Sequence, residues 1–169
     1  MTAHPERCLL LMRQEYLPPP VLDRAIIETL LDQVMAEEGL ERCLLNVLLV
    51  DARTSSALHL EHFGDPEPTD VMSFPDGSFD PEHERRNLGD LAICPDVARR
   101  VVAPRPGADD PVIRERLVAE ECILYLVHGL LHLLGHDDQH EDDRAEMWRR
   151  QRALLAGVGI MVEDEERLE

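Results

Sequence analysis

The sequence lacks several features that would place it in a common class of protein. Among its 169 residues there is no lysine, and aromatic residues make up only 4%. The 17 basic residues, all arginine, stand against 35 acidic ones, so the net charge is −18. This balance excludes a globally basic nucleic-acid-binding surface and disfavours nonspecific adhesion to anionic membranes. Because aromatic residues are scarce, the core must be aliphatic, and the 44% hydrophobic content supplies it.

Long apolar runs are also missing. No run approaches the roughly 18 uninterrupted apolar residues of a membrane span. The first apolar run, at 8–12, is shorter than the roughly 7–15 residues of a signal peptide core. The sequence therefore predicts a cytoplasmic protein with no membrane partner.

The four cysteines form no CxxC pair, and each lies in an apolar run. Disulfide frameworks and cysteine-rich zinc sites show tighter spacing or a secreted context. We expect Cys8, Cys43, Cys94 and Cys122 to be buried reduced thiols.

Hydrophobic periodicity predicts one α+β domain over 1–162 and a disordered acidic tail over 163–169. The predicted strands are 8–12, 43–50, 69–74 and 88–94. The predicted helices are 21–38, about 54–62 with Thr54 or Ser55 as its cap, 96–102, 112–134 and 142–156. Together these elements predict an α+β or mixed α/β layer structure with four strands, and 75–87 as a loop.

The segment 120–143 carries the chemistry. His128 and His132 are four residues apart in an apolar helix, so both imidazoles lie on one face and can reach one cation. Gly135 then allows the chain to turn back. Candidate ligands follow at once: His136, Asp137, Asp138 and His140. Two ligands on a helix and one from the turn leave a fourth position open, as in catalytic zinc sites.

Three blocks of sequence resemble the YbeY endoribonuclease family of rRNA maturation factors. HGLLHLLGHDD (128–138) is similar to the family motif H-G-x-L-H-L-x-G-Y-D-H. PTDVMSFP (68–75) is similar to P-T-D-V-L-S-F-P, and LGDLAIC (88–94) to L-G-D-I-x-I-S. The blocks occur in family order, and with their flanking elements the resemblance spans about 8–160.

The resemblance implies a metal-dependent, single-strand-specific endoribonuclease acting in 16S rRNA 3′-end maturation and ribosome quality control. It implies rRNA and other single-stranded RNA as substrates, and the small ribosomal subunit or its associated proteins as partners. No DNA partner is expected. The fold it implies is a small mixed four-stranded sheet covered by about five or six helices. It also implies one Zn²⁺ per chain, held by a helix and the turn after it.

One departure from the family lies in the metal motif. Asp138 stands where the family has its third histidine, and His136 stands where it has tyrosine. We carry over His128, His132 and Asp138 as ligands, with His140 as the alternative third ligand. Because a carboxylate is a harder ligand than imidazole, Mn²⁺ or Fe²⁺ are alternatives to zinc.

A second departure lies before the Thr-Asp-Val block. The family has an aromatic-arginine pair there, whose arginine serves RNA binding or catalysis, whereas this chain has His62-Phe63. His62 or an arginine elsewhere is the candidate substitute. The candidates are Arg85, Arg86, Arg99, Arg100 and Arg105, of which the first four are predicted to bind RNA.

The sequence does not identify the catalytic group. Beyond a metal-bound water, Asp137 is the one candidate general base. Glu121 shares the helix face of His128, and we expect it to be solvated, with a partner role at the metal as the alternative. Asp70 is either a site residue or a local cap.

Two other functions compete with the endoribonuclease. One is a metal-dependent hydrolase of another substrate such as a peptide, against which Gly129 counts, because it replaces the glutamate of the HExxH motif. The other is a non-catalytic ribosome-associated factor with a structural metal.

Overall fold

The computed structural model describes residues 7–15, 20 and 22–162. The predicted tail 163–169 lies outside these residues. The described part contains five strands: β1 Cys8–Gln14, β2 Cys43–Leu49, β3 Val71–Pro75, β4 Phe79–Asp80 and β5 Arg85–Ile93. It contains five helices: α1 Arg24–Glu38, α2 Ala52–Phe63, α3 Pro95–Val102, α4 Pro111–Leu133 and α5 Glu141–Gly157.

The strands form one mixed sheet in the order β1-β2-β5-β3. β1, β2 and β5 run parallel, whereas β3 pairs with β5 in the antiparallel sense and forms an edge. The prediction of four strands was incomplete. β5 begins at Arg85, inside the predicted loop, and its polar first residues pair with the two-residue β4. This fifth strand is held by backbone pairing, which the polarity of the side chains does not indicate.

The two faces of the sheet differ. Along β2, Leu45, Val47 and Leu49 belong to the buried core shared with the helices. Asn46 and Leu48 alternate with them and line a cavity of about 700 Å³ on the other face, together with Arg13 of β1. Alternation of this kind follows from the period of two along a strand, so the sheet has one core face and one partly open face.

Helix α2 begins one turn earlier than predicted. Its N-cap is Asp51, whose carboxylate accepts a hydrogen bond from the Thr54 backbone N–H at 2.7 Å. The prediction of Thr54 or Ser55 as the cap is therefore wrong. Ser55 is fully buried and exchanges hydrogen bonds with the backbone of Thr69, donating to its carbonyl and accepting from its N–H, each at 3.1 Å. The serine thus ties α2 to the residue that leads into β3.

Helix α4 packs directly on β3 and β5. The approach is closest at Gly129, where an added Cβ would lie 2.9 Å from both Leu91 and Val71 side chains. The Ser73 hydroxyl donates to the Gly129 carbonyl at 3.0 Å, which joins β3 to the same turn of the helix. A glutamate at this position would not fit, so the absence of an HExxH motif follows from the packing.

The four cysteines are buried and unpaired, as predicted. Burial raises the pKa of the Cys8 and Cys122 thiols to about 12. None of the helices in the described ranges is long and apolar enough to cross a membrane.

Candidate metal centre

Three side chains from α4 and the following turn converge on one point. His128 Nε2 lies 3.1 Å from His132 Nε2. The Asp138 Oδ2 atom lies 3.6 Å from the first of these nitrogens and 3.5 Å from the second. Within the residues described, these three side chains form the one group of three or more potential ligands close enough to hold a single ion.

The spacing of the three atoms fits a metal ion. Zinc binds imidazole nitrogen at about 2.0–2.1 Å and carboxylate oxygen at about 2.0–2.2 Å, usually with tetrahedral geometry. Two ligands at those lengths and the tetrahedral angle lie roughly 3.4 Å apart. The three distances of 3.1, 3.5 and 3.6 Å bracket this value, so the cluster matches one face of a coordination tetrahedron.

The hydrogen bonds of His132 fix its tautomer. Its Nδ1 lies 3.0 Å from the carbonyl oxygen of His136. A carbonyl only accepts, so Nδ1 carries the proton and Nε2 presents its lone pair to the cluster. This arrangement, in which the second ring nitrogen of a ligand histidine donates to a carbonyl, is usual at metal sites.

His128 is the more buried of the two histidines, with its side chain 12% exposed against 30% for His132. Burial, together with the neighbouring His132, lowers the pKa of His128, and the Asp70 and Asp138 carboxylates oppose this shift. A lowered pKa keeps the imidazole neutral near neutral pH, which metal coordination requires.

The turn after α4 is shaped to return Asp138 to the helix. Gly135 has a φ of 92°, the left-handed conformation that glycine adopts without strain. The His136 N–H then bonds the Leu131 carbonyl at 3.0 Å. The Asp137 carboxylate accepts from the backbone N–H groups of Asp138 and Gln139 at 2.7 and 3.0 Å. Asp137 is therefore engaged in the turn, which argues against it as a base.

The remaining histidines of the motif lie away from the ligand triangle. His136 packs outward, with Nε2 2.7 Å from Arg150 Nη1 and 3.2 Å from Glu38 Oε1. These contacts join the turn to α1 and α5. His140 is exposed and lies at the N-cap position of α5. The structure thus groups Asp138, and not His140, with the two histidines of α4.

A cavity of about 330 Å³ opens beside the cluster. His128 and His132 line one side, edge strand β3 lines another, and α2 contributes His59 and Phe63. His59 Nδ1 lies 2.6 Å from the Glu67 carbonyl oxygen, a contact that orients this ring as the His136 carbonyl orients His132. Phe63 is 58% exposed. Sequence reasoning missed His59, because it lies 69 positions before His128 and outside the three motif blocks.

Comparison with known proteins identifies the family. The family model described as endoribonuclease YbeY matches residues 21–159. The chain belongs to the YbeY endoribonuclease family. It is 38% identical to the endoribonuclease YbeY of Thermobifida fusca over 151 residues, which is 86% of this chain and 87% of that one. It is 40% identical to that of Streptomyces coelicolor over 119 residues, 67% of this chain and 68% of the other.

A solved structure supports the fold assignment. The solution structure of TM1509 from Thermotoga maritima is similar with a TM-score of 0.53, and the match covers 89% of each chain at 20% identity. The two chains thus share a fold at low sequence identity.

The arginines that are candidate substitutes for the family arginine lie in separate parts of the fold. Arg85 and Arg86 begin β5, whereas Arg99 and Arg100 lie in α3, which follows the other end of that strand. The eight residue steps along β5 correspond to about 26 Å. Arg99 pairs with Glu115 at 3.1 Å, about 20 Å along α4 from His128. These arginines do not form one patch, and their role in RNA binding stays a prediction.

The acidic residues Glu121 and Asp70 have different surroundings. The expectation that Glu121 is solvated is wrong: it is 4% exposed and forms an ion pair with Arg105. Asp70 accepts from the Val71 N–H at 2.7 Å, so it is a local acceptor. Its charge nevertheless acts on His128, as its contribution to the pKa of that group shows.

Proposed function

We propose that this protein is a metal-dependent, single-strand-specific endoribonuclease that acts in 16S rRNA 3′-end maturation and ribosome quality control. Membership of the YbeY family supports the endoribonuclease activity. The observation that carries the metal dependence is the triangle of His128, His132 and Asp138, whose donor atoms have the spacing of one tetrahedral face.

The donor set fits a divalent cation. If His128 were held in the Nδ1–H tautomer that His132 adopts, two imidazole lone pairs would face each other at 3.1 Å, an arrangement that a cation stabilises. A divalent ion there would supply Lewis acidity to a phosphate oxygen or to a water. Two imidazoles and one carboxylate suit Zn²⁺, and the carboxylate also suits Mn²⁺ or Fe²⁺.

The cavity beside the triangle suits an unpaired strand. β3 is a sheet edge, so its outer backbone groups are not used by a neighbouring strand. Phe63 is exposed on the α2 side of the same cavity. Aromatic side chains bind single-stranded RNA by stacking on bases, which needs no particular sequence. Phe63 therefore takes over substrate binding at the position where the family has arginine, by stacking and not by charge.

His59 is the group placed to accept a proton. Its Nδ1 donates to the Glu67 carbonyl, so the neutral ring carries its lone pair on Nε2. The ring lines the same cavity as His128 and His132. In this position Nε2 accepts a proton from the attacking water or from the RNA 2′-hydroxyl.

The net negative charge of the chain affects its affinity for RNA. A net charge of −18 opposes a polyanion at long range. We therefore infer weak intrinsic affinity for free RNA, with delivery by the small ribosomal subunit or an associated protein.

The test is a cleavage assay on a single-stranded oligoribonucleotide and its duplex. Wild-type protein reloaded with zinc should cut the single strand, whereas chelator-stripped protein and His128→Ala should lose at least about 100-fold in rate. His140→Ala is the matched control, since it removes an exposed histidine of the same motif. Equal RNA loss in all samples would indicate contamination and would sink the proposal. Zinc binding without cleavage would indicate a structural metal, and cleavage of peptides alone would indicate a different hydrolase.

The ends of the products decide the nucleophile. A 2′,3′-cyclic phosphate would show attack by the RNA 2′-hydroxyl, whereas a 5′-phosphate with a 3′-hydroxyl would show attack by water. His59→Ala should slow either reaction while leaving the zinc content at one ion per chain. An unchanged rate would remove His59 from the proposed chemistry.

A further inference from the structure

Helix α5 packs against α4, the helix that carries His128 and His132, and buries an amide in the core. Gln151 is 1% exposed and lies one turn from Met147 and from Leu155, both of which are also buried. An amide in apolar surroundings is unfavourable unless its polar atoms find partners. The sequence motifs do not include this residue, and the proposed chemistry does not use it.

The orientation of the amide is fixed by one of its two ends. Gln151 Nε2 donates to the Met147 carbonyl at 3.2 Å. The other end, Oε1, is buried and has no partner at standard hydrogen-bond geometry. Gln151 therefore presents an unused acceptor inside the protein.

A complementary unused atom lies on the facing helix. His128 Nδ1 is buried and also has no partner at standard geometry. The two helices α4 and α5 are packed together. Across this packing the Gln151 side chain lies within hydrogen-bonding reach of the His128 imidazole, although the pair does not meet standard geometry.

We propose that Gln151 is a positioning residue whose Oε1 accepts a hydrogen bond from His128 Nδ1–H and thereby directs His128 Nε2 toward His132 and Asp138. The inference rests on the proposed metal site. It gives both histidines the same support: the His136 carbonyl holds His132, and the Gln151 amide holds His128. Second partners of this kind fix the tautomer and the ring orientation of ligand histidines.

The first test measures zinc affinity by competition with a chromophoric chelator. Gln151→Met keeps the length of the side chain but removes the acceptor, and we expect affinity about 10-fold to 100-fold weaker than wild type. Gln151→Glu restores an acceptor oxygen and should recover most of the loss. Gln33→Met is the matched control, because Gln33 is exposed on α1 and its amide donates to Glu37 at 3.0 Å. Affinity of the Gln151→Met protein within twofold of wild type would overturn the inference.

The second test needs no metal and does not depend on catalysis. Nitrogen-15 NMR of the metal-free protein should show His128 in the Nδ1–H tautomer in wild type and as a mixture in Gln151→Met. A wild-type spectrum with the proton on Nε2 would overturn the inference even if the Met variant failed to fold. If wild-type protein bound no zinc, the metal proposal would fail, whereas this spectrum would still decide the Gln151 contact.

Discussion

Both halves of helix α4 carry polar side chains, but the surroundings of these side chains differ. In the first half, Glu121 is buried and its charge is balanced by Arg105 from the loop after α3. In the second half, the donor atoms of His128 and His132 converge with that of Asp138, which the turn after the helix supplies. A carboxylate paired with arginine is neutralised within the chain, whereas three converging donor atoms have the arrangement that fits a cation from solution. Convergence of donors, more than burial, therefore distinguishes the site from the structural pair.

Breaking the Arg105–Glu121 pair should have the largest effect on stability. Arg105→Met leaves a buried carboxylate without its partner and should lower the free energy of unfolding by about 3–5 kcal/mol. The double variant Arg105→Met/Glu121→Leu should recover much of this loss, since it removes both charges. Urea denaturation measures both. Zinc affinity should stay within twofold in the folded variants, and a large loss would show that the two halves are coupled.

Removing the carboxylate of the cluster should act on the metal instead. Asp138→Ala should weaken zinc binding by at least about 100-fold, because losing a ligand costs no less than losing a group that hydrogen-bonds to a ligand. Asp138→His, which restores the residue of the family motif, should retain tight binding. Chelator competition measures these affinities. His140→Ala should change nothing, and the reverse pattern would make His140 the third ligand.

A glycine between the two histidines tests whether the packing of α4 supports the site. Gly129→Ala would place a Cβ 2.9 Å from Leu91 and Val71 side chains, which should destabilise the protein by about 1–3 kcal/mol. Gly157→Ala is the matched control, because its nearest neighbour would be 3.8 Å away. That change should stabilise α5 by up to about 1 kcal/mol. Equal stability of the two variants would contradict the close approach of α4 to the sheet.

The smallest expected effect is on the rate at which the thiol of Cys122, the residue after Glu121, is labelled. Burial raises the pKa of its thiol to about 12, so the thiolate is scarce at pH 8. A thiol-reactive dye should label the native protein slowly and the urea-unfolded protein at four cysteines. In the destabilised Arg105→Met variant labelling should quicken through opening, while in Asp138→Ala it should stay slow.

The site could be predicted in part because helix periodicity carries over long apolar segments. The predicted helix 112–134 differs by one residue at each end from Pro111–Leu133. Spacing of four along such a helix forces His128 and His132 onto one face. The third member depends on the path of a turn, and the sequence left Asp138 and His140 open.

Other features of the site could not be predicted from any local sequence pattern. His59 lines the cavity from α2, 69 positions before His128. Gln151, the proposed partner of His128, lies in α5 and outside the three motif blocks. The four candidate arginines are close in sequence, but the length of β5 separates Arg85 and Arg86, at its start, from Arg99 and Arg100 in α3. Glu121 looked like a surface residue, because its partner Arg105 comes from a different segment.

The sequence by itself determined the α+β class, the family and the pair of histidines, since these follow from periodicity and from short motifs whose residues are neighbours on one helix. Only the tertiary structure decided which turn residue meets that pair, which groups orient each imidazole and which walls enclose the cavity. These depend on contacts between distant segments, and the packing of α2, α4 and α5 around the sheet fixes them all at once.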